Sequence, residues 1–183
     1  MGPGSDRFKA VTEERPLMAG TIVPAVPPPA LCIPDIGPRK KGSALLLMLG
    51  RAREAGALRQ VESVHDALML RERMASTAVG KGVAVPNARA LAVLEPCWVL
   101  GRSERGIDWD APDGLPAHLI LLVLTPPDAA PGVHLDAVAR AMSLTRLARG
   151  RARLLEARDA DEMTAVLRAA LSFAAAATPA GPA

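Results

Sequence analysis

Residues 83–89 read Val-Ala-Val-Pro-Asn-Ala-Arg. Three apolar residues run into a proline, and an amide and a guanidinium follow close behind. The pattern predicts a short buried strand, Val83 to Val85, cut off by a turn at Pro86-Asn87, because proline cannot donate to a sheet ladder. In α/β proteins, sites tend to be built where strands open onto loops. Asn87 and Arg89 are therefore candidate site residues.

Downstream, Cys97–Leu100 and Ile107–Trp109 read as two further short strands, the second turning at Asp113-Gly114. His118–Thr125 is the clearest buried strand, an apolar run closed by Pro126-Pro127. A helix is predicted from about His134 to Arg149, with Leu135, Val138, Ala139 and Met142 on one face. Asp159 and Glu162 have the spacing of a capping box for a last helix, whose stripe is Met163, Val166, Leu167, Ala170 and Leu171. Upstream, Ser43 can cap a helix through Ala55 that Gly56 stops. A second helix carries Val61, Val64, Ala67 and Leu68 and ends near Arg73. Helices, a cluster of strands, then helices predict an α/β domain with a mixed sheet.

The chain has 183 residues, of which 50% are hydrophobic and only 2% aromatic, so its core must be aliphatic. That length allows one domain with tails. Residues 1–38 are rich in proline and read as an extended arm or linker, whose first five residues resemble an expression-vector scar. The domain is expected over 39–174, with 175–183 as a disordered tail.

The net charge of +3 permits an acidic partner but does not call for nucleic acid. No apolar run approaches the ~18 residues of a membrane span, so membrane insertion is not expected. Cys32 and Cys97 form no C-x-x-C pair, which fits structural thiols in a reducing cytoplasm. Neither G-x-x-x-x-G-K-[ST] nor G-x-G-x-x-G occurs, and there is no G-x-S-x-G elbow. His65, His118 and His134 lack metal-ligand spacing, so no metal site is expected. His65 and His118 read as packing histidines. His134, at a helix start after Pro131-Gly132, reads equally as a capping or a site residue.

A longer ordered pattern connects these pieces. It runs Arg71-Glu72, Ser76-Thr77, Gly80, Gly82 through Arg89, Gly106-Ile107, Asp113-Gly114-Leu115-Pro116, the Leu119–Pro126 strand and His134-Leu135. This resembles the type-2 EIIA domain, the fructose/mannitol/nitrogen-regulatory class, of the bacterial phosphoenolpyruvate:sugar phosphotransferase system. The resemblance covers roughly residues 40–172 and implies a mixed β-sheet flanked by helices, as in EIIA-mannitol and EIIA-fructose.

That family carries a phosphoryl group on a histidine directly after the A-[IV]-P segment. It receives the group from the phosphocarrier HPr or a nitrogen-branch relative. It passes the group to a sugar-permease domain or uses the phosphorylation state as a signal. By the resemblance, Asn87 stands at the acceptor position and His134 at the family's second histidine. Arg71 would offer a guanidinium fork to phosphate oxygens, Ser76 and Thr77 hydroxyls or a backbone turn, and Arg89 follows the site. For Arg71 and Glu72 the plainer alternative is a solvated ion pair at a helix end. No cofactor is implied. The implied partners are an HPr-like phosphocarrier or a regulated target protein, with a permease domain as a further possibility.

A neutral imidazole has an in-plane lone pair and attacks phosphorus near pH 7. The amide nitrogen of asparagine has its lone pair delocalised and only donates hydrogen bonds. Three readings stand open on sequence alone. The protein is a non-phosphorylatable regulator that binds a partner; it is an active carrier with His134 as acceptor; or Asn87 is an engineered block of a working carrier. A lone EIIA-like segment without a fused permease or HPr-like part favours the nitrogen-regulatory branch.

Overall fold

The apolar run of residues 119–124 sits at the centre of the architecture. In the computed structural model, which describes residues 26–37 and 40–176, strand β6 (Ala117–Thr125) is buried at every position except the half-buried His118. Ile120, Leu122 and Leu124 face one core, and Leu119, Leu121 and Val123 face the other. This is the two-period of a strand covered on both sides.

Around it lie β1 (Cys32–Ile33), α1 (Lys41–Glu54), α2 (Val61–Met74), β2 (Ala78–Gly80), β3 (Val83–Ala84), β4 (Asn87–Arg89) and β5 (Cys97–Ile107). After β6 come α3 (Val133–Ser143), α4 (Ala148–Glu156) and α5 (Ala160–Ala176). The sheet order is β1-β5-β6-β3-β2, with β4 also on β6. The β5–β6 and β2–β3 pairs are antiparallel and the others parallel, so the sheet is mixed. Helices α1 and α2 cover one face, and α3, α4 and α5 the other. The mixed sheet flanked by helices is as expected.

Several expected elements differ in extent. Strand β3 stops at Ala84, and the chain does not turn away at Pro86-Asn87. Val83 pairs with Leu119, Ala84 with Ile120 and Asn87 with Val123, so β3 and β4 share one register along β6. Pro86 lacks an N–H, yet its carbonyl still accepts from Val123 N at 2.9 Å. The two strands expected at 97–100 and 107–109 are the single strand β5, which ends at Ile107. Its ladder shifts register between Arg102 and Ile107, and Gly106 takes φ 73° there. A Cβ on Gly106 would lie 2.8 Å from Pro116 Cβ, so glycine is what lets the strand continue.

The long helix expected to Arg149 is instead α3, a 3-10 turn at Leu144–Arg146, and α4. Its buried face is Ala137 and Ala141, whereas Leu135 and Met142 are exposed. The larger side chains had set the expected phase, but the close approach of α3 to the sheet takes the alanines. Ala67 of α2 is likewise exposed. Ser43 lies inside α1, whose N-cap is Lys40; Gly56 (φ 81°) does follow the helix end. Asp159 Oδ1 accepts from Glu162 N at 2.8 Å, while the Glu162 carboxylate returns to Arg158 N rather than to Asp159. The α5 stripe is buried as expected.

The proline-rich stretch is not wholly an arm. Leu31, Cys32, Ile33 and Ile36 are buried, and β1 forms the sheet edge beside β5. Arg102, itself buried, donates to Pro34 O at 2.7 Å and to the Leu155 and Ala157 carbonyls. It thereby ties this segment to the C-terminal end of α4. Residues 1–25 and 38 of the expected arm and 177–183 of the expected tail lie outside the described residues, while α5 runs to Ala176, two residues into that tail. Among the described residues, no helix is long and apolar enough to cross a membrane.

Candidate functional site

Three elements bring Asn87 and His134 together. Strand β4 starts at Asn87, β6 ends at Thr125, and α3 begins at Val133 after Gly132, which takes φ 88° to turn the chain into the helix. Asn87 Nδ2 donates to Val85 O at 2.9 Å. That leaves its oxygen facing His134 Nε2 at 3.3 Å. An amide oxygen only accepts, so Nε2 carries the proton. His134 Nδ1 then accepts from the Thr125 hydroxyl at 2.8 Å. Thr125 is fully buried and anchors this relay.

Burial holds the His134 imidazole below its usual pKa, and the Arg89 charge acts in the same direction. A neutral Nε2–H imidazole is the form that the hydrogen bonds require. Arg89 is exposed and donates to Pro127 O at 2.6 Å.

Arg71, in the last turn of α2, donates to Ala75 O at 2.9 Å and is exposed. It forms no pair with Glu72. Among the described residues neither Arg71 nor Arg89 has a carboxylate partner. Both keep guanidinium N–H groups for an anion.

Ser76 and Thr77 are committed elsewhere. The Ser76 hydroxyl donates to Trp109 O and accepts from Ala78 N. The Thr77 hydroxyl donates to Glu72 Oε1 and accepts from Trp109 Nε1 at 3.2 Å. Glu72 is buried and is paired with Lys41 at 3.1 Å. The alternative of a solvated pair with Arg71 thus gives way to a buried network beside Asp110 and the Trp109 ring. A buried carboxylate needs donors, and Thr77 and Lys41 provide them. The backbone links this network to the site, where Val85 N donates to Thr77 O at 3.0 Å.

Thr125 was not foreseen from sequence. Its signal was a hydroxyl closing an otherwise apolar strand just before Pro126-Pro127. His65 bonds Gly42 O at 3.1 Å and His118 bonds Ser103 O at 2.9 Å, in packing roles as expected. Cys32 and Cys97 are free and buried. Among the described residues no three His, Cys, Asp or Glu side chains gather as a metal site would require.

Comparison with known proteins gives concordant findings. The family described as "Phosphoenolpyruvate-dependent sugar phosphotransferase system, EIIA 2" matches residues 33–170. The "PTS system fructose-specific EIIABC component" of Bacillus subtilis is 31% identical over 133 residues. That match covers 73% of this chain but only 21% of the Bacillus protein. A "Nitrogen regulatory protein" of Bradyrhizobium diazoefficiens is 33% identical over 139 residues, covering 76% of this chain and 90% of that protein. The solved structure of nitrogen regulatory protein IIA-Ntr from Neisseria meningitidis superposes with a TM-score of 0.70 at 27% identity. It covers 78% of this chain and 96% of its own.

Proposed function

The chain belongs to the phosphotransferase-system EIIA type-2 family, and from that premise we propose that it is a nitrogen-regulatory-type member that binds a partner without accepting phosphate. The reading takes Asn87 as the residue at the family's phosphoacceptor position. One observation carries it: the Asn87 amide is held by Val85 O and His134 Nε2, its nitrogen has no free lone pair for attack on phosphorus, and its oxygen is engaged as an acceptor. Asn87 is therefore a hydrogen-bonding group where the family places a nucleophile.

The same geometry speaks against His134 as a substitute acceptor. Its Nε2 carries the proton donated to Asn87, and its Nδ1 lone pair points to the Thr125 hydroxyl. Neither nitrogen is free to attack without dismantling the relay.

The surface suits a protein partner. Leu135 follows His134 and is 72% exposed; Met74 follows the Arg71 turn at 79%, and Leu91 lies just past Arg89 at 88%. Exposed apolar side chains close in sequence to guanidinia that have no carboxylate partner among the described residues are the composition of a docking face. The partner is an HPr-like phosphocarrier or a regulated target, with a permease domain as the sugar-branch counterpart. Similarity to a nitrogen regulatory protein across 90% of that protein supports the nitrogen branch.

Incubation with phosphoenolpyruvate, the general phosphotransferase enzyme and HPr tests the reading. The unmutated chain is expected to take up no acid-labile phosphate. The Asn87→His variant is expected to label, because an in-place nucleophile beside His134 restores transfer without new binding contacts. Labelling of the unmutated chain that disappears in His134→Ala would overturn the proposal in favour of an active carrier. In Asn87→His, faster labelling by the nitrogen-branch enzyme and its HPr relative than by the sugar-branch pair is the expected sign of branch.

A further inference from the structure

Away from the Asn87 site, α4 and α5 meet along a groove of about 330 Å³. It lies beyond the C-terminal end of α3, whose N-terminal turn carries His134. The 11 residues of α3 put about 16 Å of helix between the two places. The helices approach closely at Gly150, where a Cβ would sit 3.0 Å from Ala170 Cβ. Gly150, Ala169 and Ala170 are the small residues around that contact. The lining is apolar, made by Leu147, Val166, Ala169 and Ala170 together with the alkyl stems of Arg149 and Arg153, whose charged ends lie at its rim.

Among the described residues neither arginine has a carboxylate partner. The Arg153 charge is felt by Glu162, but that carboxylate pairs with Arg158 at 3.1 Å. Among the described residues no acidic side chain lines the groove. The volume falls at the lower end of the ~300–1,000 Å³ of small-molecule pockets.

We propose that this groove binds a small amphipathic carboxylate, its alkyl or aromatic body on the apolar floor and its headgroup on Arg149 and Arg153. Apolar burial alone would take any oily molecule. The two guanidinia select the anion, because a carboxylate accepts their parallel N–H groups in a bidentate fork. The inference stands independently of what Asn87 does.

Calorimetric titration of the full chain with sodium octanoate tests it, with 1-octanol and acetate as the body-only and headgroup-only probes. Octanoate is expected to saturate a single site, octanol to bind about tenfold more weakly, and acetate not to bind. Arg149→Gln with Arg153→Gln is expected to cost octanoate about the same factor and leave octanol unchanged. Ala169→Leu, which fills the floor, is expected to abolish both. All three positions are exposed, so the variants should fold; an unchanged thermal melt checks this. No saturable octanoate binding below its micelle concentration would overturn the proposal. Octanol binding as tightly as octanoate, or either variant binding octanoate like the parent, would overturn it equally.

Discussion

Ile36 and Gly101 offer a direct test of whether the segment before residue 38 belongs to the fold. Ile36 is 1% exposed, and a Cβ built on Gly101 would lie 2.3 Å from its Cδ1 and 2.9 Å from its Cγ1. Gly101 has no left-handed backbone conformation, so an alanine there is opposed by contact alone. Forcing that methyl into a filled core should cost about 2 kcal/mol. Ile36→Ala should cost about 3 kcal/mol in lost burial and residual cavity. Independent effects would sum to about 5 kcal/mol. In the double variant, however, the methyl introduced by Gly101→Ala enters the space that Ile36 vacates. The total should then fall to about 3 kcal/mol, a favourable coupling of about 2. Urea unfolding followed by tryptophan fluorescence can read this out, since Trp98 and Trp109 are both buried and the chain contains no tyrosine. At a slope of about 1–3 kcal/mol/M, the Ile36→Ala midpoint should drop by roughly 1–3 M. Additivity within about 0.5 kcal/mol would refute the contact, and with it the docking of this segment on β5.

Arg102→Met should remove about 3–5 kcal/mol, because three carbonyls, of Pro34, Leu155 and Ala157, lose a charged donor. Arg102→Lys should recover only part of this, since one ammonium lacks the planar fork that spans them; full recovery in thermal melts would contradict the account. His134 has a pKa below its ordinary 6.5 in the folded protein, so between that depressed value and 6.5 the unfolded chain binds more protons. Its contribution is therefore complete above about pH 6.5 and is lost as the pH falls through that window. The unmutated chain should lose more stability on acidification than His134→Gln, and equal pH dependence would exclude this linkage. Burial pushes the Cys97 thiol up to about 12, helped by the Glu95 charge, and burial likewise raises Cys32. Neither should react with a thiol reagent at pH 8 until the protein is unfolded; rapid native labelling would show that the core opens there.

Local signals were sufficient for some of this structure. An unbroken apolar run predicted β6, because only a strand covered on both faces tolerates one. The Asp159 cap and the Met163-to-Leu171 stripe predicted α5, because cap and stripe lie within the helix they describe. The ordered motif with its Asn87, Arg89 and His134 pointed to the family, and Asn87 with His134 are indeed joined, 47 positions apart.

Other features depend on partners that the local sequence does not name. Pro86 reads as a strand terminator, yet β6 holds β3 and β4 in one register because a ladder needs only the proline's carbonyl at that point. Prolines around Ile33 read as a linker, yet β5 offers that segment an edge and Gly101 leaves room for Ile36. Ser76 and Thr77 carry the right hydroxyls for an anion site. Their use was decided by Glu72, whose carboxylate is buried by the packing of α2 and draws Thr77 inward, and by the Trp109 carbonyl, which takes Ser76. Burying a charge imposes its own hydrogen bonds on whatever donors lie nearest, and which ones lie nearest is a property of the tertiary structure.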